Sequence, residues 1–114
     1  MNPSPFYKLE IFAPEENVDD ILDALANTHA GEIGKYDRCA TITPVQSTFR
    51  PLPGSQPIIG NVGELFTGGE VKIEVNCREE NLMEAVQAVR DVHIYEEPVI
   101  NIIPLANPRY GGTV

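Results

Sequence analysis

The sequence predicts an α+β fold of ferredoxin-like type, a βαββαβ sandwich with a four-stranded antiparallel sheet and two helices on one face. Three observations predict it. Phe6 to Ala13 alternates, with Tyr7, Leu9, Ile11 and Ala13 on one side and Lys8 and Glu10 on the other, the period of a half-buried strand. Val18, Ile21, Leu22 and Leu25 then follow at i, i+3, i+4 and i+7, one apolar stripe along a helix. Finally, the same text returns 64 positions later, KLEIFAPEENVDDILDALANTH from Lys8 lying over KIEVNCREENLMEAVQAVRDVH from Lys72. One strand–helix unit is used twice, with Lys8 over Lys72, Glu10 over Glu74, Asn17 over Asn81 and His29 over His93.

Each element has a local reason. Pro14 suits the first turn of the first helix, where Glu15, Glu16, Asp19 and Asp20 set negative charge against the unpaired N–H groups, and Gly31 is a plausible stop. Each unit needs a return strand, and Arg38 to Thr43 and Val99 to Pro104 supply them. Each helix has one stripe to bury, which places both on the same face of the sheet. The repeated strands form the central antiparallel pair, and their charges suggest a register with Lys8 opposite Glu74 and Glu10 opposite Lys72 on the face without helices. That open face would present Phe12, Ile42 and alternate residues of the last strand, which predicts a homo-oligomer.

At 114 residues the chain makes one domain, with a core over 5–105, a long loop over 44–69 and a tail over 106–114. A net charge of −9 argues against nucleic acid or an anionic membrane as partner. No apolar run is long enough to cross a bilayer, and Met1 to Pro5 lacks the features of a signal peptide, so the chain is expected in the cytoplasm. There Cys39 and Cys77 stay thiols, and a hairpin between them could bring the two close.

No nucleophile–base–orienter set and no phosphate-cradling motif is legible, so neither catalysis nor a cofactor is expected. Both histidines close their helices. In antiparallel helices of roughly fifteen residues they would stand about 20 Å apart, too far to share a metal within one chain. Each is expected to bond the last carbonyls of its own helix, with a site involving His93, Tyr95 and Glu96 as the alternative. The loop is the stretch the repeat leaves unmatched. From Arg38 to Gly63 it holds no Asp or Glu, while Arg38 and Arg50 stand beside Tyr36 and Phe49. That composition suits an anionic or planar ligand, and equally a loop packed on a neighbouring subunit.

The segments IGKYDRCATITPVQSTFRPLPGSQPIIGNVGELF and VHIYEEPVINIIPL resemble the insert domain of the Nif-three-like family, also found as a short stand-alone YqfO-type protein. The resemblance runs from Tyr7 to Leu105 and rests on the paired patterns IGxYxxC and HxYEE. It departs from the family at Ile94, at Val45-Gln46 before STFRP, and at QPIIG. It implies a trimer similar to the PII and CutA proteins, while the two metal-binding lobes of full-length members, and with them any hydrolase chemistry, have no counterpart in this sequence. Together these readings predict a non-enzymatic, regulatory module that binds a small anionic ligand or a partner protein. Tyr36, Arg38, Phe49, Arg50, His93, Tyr95 and Glu96 would form the site. Divalent-metal binding with ligands from two subunits is the alternative, suggested by the CutA likeness and by His93 with Glu96, Glu97 and the thiols of Cys39 and Cys77.

Overall fold

Two strands with the same apolar alternation, β1 (Phe6–Ala13) and β3 (Phe66–Arg78), lie side by side at the centre of one antiparallel sheet of order β2-β3-β1-β4. The edges are β2 (Thr41–Phe49) and β4 (Ile100–Pro104). Helices α1 (Val18–Asn27) and α2 (Glu79–Val92) cover one face, giving the βαββαβ order that the repeat predicts. The computed structural model describes residues 5–112. Among these, Leu9, Ile11 and Ile73 from the sheet and Ile21, Leu25 and Val89 from the helices are almost wholly buried. Each such side chain contributes about 1.5–3 kcal/mol on leaving water.

The two halves start their helices differently. Pro14 opens a 3-10 turn at Glu15–Asn17 before α1, whereas α2 starts directly from Arg78. Asn17 is 2% exposed and spans the halves, its Nδ2 donating to the Val92 carbonyl at 3.0 Å and its Oδ1 accepting the Ile94 N–H at 3.0 Å. The last turn of α1 is closed by Thr28, whose hydroxyl donates to the carbonyls of Ala24 and Leu25.

The register of the central pair differs from the expected one by two residues. Glu10 lies opposite Glu74, Lys8 opposite Asn76 and Lys72 opposite Phe12. A shift of two keeps every side chain on its face, and a repeat of 64 places no condition on which of the two registers forms. Core packing decides, because a cross-strand ion pair contributes only about 0.2–1 kcal/mol. The expected attraction is recovered diagonally, with Lys8 Nζ at 3.1 Å and Lys72 Nζ at 3.5 Å from the Glu74 carboxylate. The Lys8 ammonium hydrogen-bonded to Glu74 holds that carboxyl below the usual range, against a smaller opposing effect of burial. Glu10 is met by the Nδ2 of Asn101.

The second strand starts later and runs longer than the sequence suggests, from Thr41 instead of Arg38 and through to Phe49. At its start the edge of β3 is already occupied. Gly31, at φ 82°, donates its N–H to the Asn76 carbonyl and accepts the Cys39 N–H, so Cys39 lies one chain further out and the two thiols are not neighbours across a hairpin. Pro44 sits inside β2, tolerated there because β2 is an edge strand. The connection is therefore 50–65, shorter than 44–69.

Because β1 pairs with β3 only from Val71 onward, Phe66 to Glu70 and Val45 to Phe49 form a two-stranded arm beyond the four-stranded sheet. The molecule measures 48 × 30 × 23 Å, with a radius of gyration of 15.5 Å where a compact chain of this length has about 13 Å. Ile42 pairs with Ile73 and so lies on the helix side, not on the open face. The open face carries Lys8, Glu10, Lys72 and Glu74 in its middle and Phe6 at one end, while Phe12, Phe49 and Phe66 gather toward the arm at the other. The tail forms a 3-10 turn at Asn107–Tyr110, and residues 113 and 114 lie outside the described residues.

Two substitutions probe this frame. Asn17→Ala leaves a buried carbonyl and N–H unpaired and is expected to cost about 2–3 kcal/mol, measured by urea denaturation. Gly31→Ala would set a Cβ 2.8 Å from the Cys39 carbonyl oxygen at a positive φ. It is expected to cost more than about 1 kcal/mol in the same measurement. Gly34→Ala, also at a positive φ but with nothing within 4 Å of the added Cβ, is the milder comparison.

Candidate functional site

Helix α2 ends at His93, which turns out of the helix at φ −70°, ψ 131° and is 8% exposed. Its Nδ1 accepts the Tyr95 N–H at 3.1 Å, so Nε2 carries the proton and donates to the Phe12 carbonyl at 2.7 Å. Both ring nitrogens are thereby occupied, and with Asn17 they fix the turn from His93 to Glu97 against the end of β1. The turn aims the Tyr95 hydroxyl at Glu70 on the arm, 3.1 Å away, and the other oxygen of that carboxylate accepts the Ser47 hydroxyl. Burial, and then the Glu70 charge, push the Tyr95 phenol up to about 12.

The connection 50–65 folds back over the same end of the sheet. The Gly63 N–H donates to the Pro51 carbonyl at 2.8 Å, and the Gln56 N–H reaches the Glu96 carboxylate at 2.9 Å. Phe49 and Phe66 stack at 4.9 Å, with Gly60 close against the Phe49 ring at φ 89°. Arm, connection and turn enclose a cleft of about 600 Å³. Its walls are mostly apolar, from Phe12, Phe49, Leu52, Ile58 and Val99, with Arg50, Glu70, Glu96 and Glu97 as its charged groups.

Of the residues singled out in the sequence, Phe49, Arg50, Tyr95 and Glu96 line this cleft. His93 stands behind it as a buried brace. Tyr36 and Arg38 are elsewhere. Tyr36 is 76% exposed on a turn closed by mutual backbone hydrogen bonds with Ile33. Arg38, at φ 56°, pairs with Asp23 at 3.0 Å beside a second pocket of about 140 Å³ under α1. Arg38 and Arg50 flank opposite ends of the nine-residue β2, roughly 30 Å at 3.3 Å per residue. One chain therefore does not bring them to a common anion. Glu70, Ser47 and Phe12 also line the cleft but were not among the site residues the sequence pointed to, and Glu97, which lines it too, was expected only for the metal alternative. Glu70 was visible only as one more residue in the alternation with Lys72 and Glu74, and nothing in the sequence showed that the arm carries it to Tyr95.

The imidazole rings of the two histidines do not bond the carbonyls of their own helix ends, which only the backbone N–H groups reach. His29 lies in the left-handed region at φ 65°, and its Nδ1 meets Glu32 at 2.7 Å; that hydrogen bond and the Glu32 charge raise its pKa. Among the described residues no three His, Cys, Asp or Glu side chains converge as metal ligands, and no helix is long and apolar enough to cross a membrane.

This architecture is the CutA and PII-like one. CutA from Archaeoglobus fulgidus superposes with a TM-score of 0.64 at 24% identity, over 88% of this chain and 83% of its own. The PII-like CutA of Nostoc sp. PCC 7120 gives 0.65 at 19%, over 90% and 84%. More specifically, the chain is homologous to one segment of the NIF3-related proteins. A Bacillus cereus protein related to NIF3 superposes with a TM-score of 0.80 at 27% identity, over 94% of this chain and 27% of its own. A GTP cyclohydrolase 1 type 2 homolog of Halalkalibacterium halodurans is 39% identical over 101 residues, and that of Bacillus subtilis 36% over 101 residues, each match covering 89% of this chain. The chain spans about a quarter of the length of these curated relatives, 27% in both cases. No family model matches it.

Burial pushes the Cys77 thiol up to about 11, from 9.0 when free. The unfolded chain thus loses this proton first, and stability present below pH 9 declines as pH rises toward 11. Cys77→Ala is expected to flatten that stretch of the stability–pH curve by about 2–3 kcal/mol, read by denaturant midpoints at about pH 8, 9.5 and 11. An unchanged curve would show that the thiol is not shielded.

Proposed function

We propose that this chain is a non-enzymatic, self-associating module of CutA and PII-like type, regulatory in role, which holds a small ligand with an anionic group in the cleft between the connection 50–65 and the turn His93–Glu97. One observation carries the reading. The stretch unmatched by the repeat and the HIYEE turn, far apart in sequence, face each other across about 600 Å³ and are tied by the Gln56–Glu96 bond. The volume lies within the roughly 300–1,000 Å³ of small-molecule sites, and mostly apolar walls with a few polar groups are their usual composition. Arg50 is the cation of the cleft and takes the anionic group. The same surface could instead seat a partner protein.

Self-association is supported by the arm, which projects from the sheet, and by apolar side chains on the edge strands, with Ile42 44% and Ile102 46% exposed. A trimer is the assembly the family resemblance implies. Tyr36 and Arg38, at the far end of β2, would meet a cleft only as residues of another copy. The acidic balance of −9 supports neither nucleic acid nor an anionic membrane as partner. A second reading, divalent-cation binding, is favoured by the name of the Archaeoglobus fulgidus neighbour, a divalent cation tolerance protein. It would draw on Glu96 and Glu97 together with side chains of a second chain.

Native mass spectrometry of the gently purified protein tests both. A trimer carrying an organic adduct is expected, with Arg50→Ala weakening retention about tenfold or more, the worth of a charge-assisted hydrogen bond. An oligomer that releases zinc or copper on acidification would establish the second reading instead. A bare monomer would overturn both.

A further inference from the structure

The charged groups of the cleft are unequal in what they already hold. Glu70 is engaged through both oxygens, by Ser47 and by the Tyr95 hydroxyl, and Glu96 through one, by the Gln56 N–H. Arg50 and Glu97 line the same cleft, yet among the described residues neither has a hydrogen bond or ion pair, and they do not pair with each other. A guanidinium and a carboxylate that share an apolar-walled space without neutralising one another leave two complementary binding ends. An anion alone would enter a cleft with three carboxylates to one guanidinium, on a chain of net charge −9. A cation alone would find Arg50 a like charge against the same walls.

We propose that the ligand of this cleft is amphoteric, an apolar or aromatic body carrying one anionic group held by Arg50 and one ammonium-type nitrogen held by Glu97 with the free oxygen of Glu96 beside it. This rests on the reading of the cleft as a small-molecule site and specifies the chemistry of its occupant. Phe12 and Phe49 offer flat area to the body, and their ring faces also favour a nearby cationic nitrogen. Glu96 links occupancy to the connection, because the nitrogen and the Gln56 N–H would share one carboxylate.

Three probes with one body separate the charges: phenylalanine with both, phenylalanine amide with the cation only, and N-acetylphenylalanine with the anion only. Isothermal titration into the full chain is expected to show phenylalanine binding at least about tenfold tighter than either analogue, the worth of one charge-assisted bond. Arg50→Gln should lower it to the level of the amide, and Glu97→Gln to that of the acetylated acid. Both residues are exposed, and matched melting temperatures check that each variant folds. If the acetylated acid binds as well as phenylalanine, and Arg50→Gln weakens both, the amphoteric ligand is overturned while the anion cleft stands. Silence of all three probes, together with a natural adduct whose mass formula lacks nitrogen, also overturns it. A protein that binds no probe and carries no adduct brings down the cleft itself.

Discussion

Everything in this molecule hangs from the pairing of β1 with β3. Two strands of the same repeat meet antiparallel with Glu10 directly opposite its equivalent Glu74, so that the helix following each strand returns over the same face. Leu9, Ile11, Ile73 and Val75 present a continuous apolar surface there, and the stripes of α1 and α2 close on it. The juxtaposed carboxylates on the other face are tolerated because Lys8 and Lys72 both approach Glu74 and Asn101 serves Glu10. The exposed charge pattern does not set the register, since a surface ion pair contributes little and the charges find partners in the observed pairing as well.

From that pairing the site follows by a difference in strand length. β3 has 13 residues and β1 has 8, so β3 overruns the sheet, takes β2 with it, and builds the arm that forms one wall of the cleft. The opposite wall is the turn after α2. It owes its shape to two buried polar side chains, Asn17 and His93, which join the end of the second unit to the start of the first. The equivalents of these residues are used otherwise. His29 is exposed and paired with Glu32, and among the described residues no such brace joins Asn81 to the other half. The symmetry of the sequence is thus broken where the cleft lies.

The cleft itself combines an apolar interior with charges of both signs at its edge. Glu70 ties the arm to Tyr95, and Glu96 ties the connection to the turn, so two carboxylates serve to hold the enclosure together. Among the described residues Arg50 and Glu97 hold no such bond. A stretch free of Asp and Glu from Arg38 to Gly63 thus borders a cleft with three carboxylates, because they arrive from β3 and from the HIYEE turn.

What the sequence determined by itself was the element order, the central pair and the core, because alternation, helical stripe and a 64-residue repeat are local or periodic signals that burial must respect. It also singled out Phe49, Arg50, Tyr95 and Glu96, which the fold gathers along one cleft. Tertiary structure alone decided the rest. The repeat allowed two registers and packing chose one. Gly31 took the edge of β3 that Cys39 was expected to share, which set Cys39 apart from Cys77 and delayed β2 until Thr41. The length of β2 then carried Arg50 away from Arg38, and only the return of the chain at Glu70 and His93 showed which side chains enclose a common space. Such long-range placements depend on hydrogen-bond partners far apart in sequence, and no spacing along the chain encodes them.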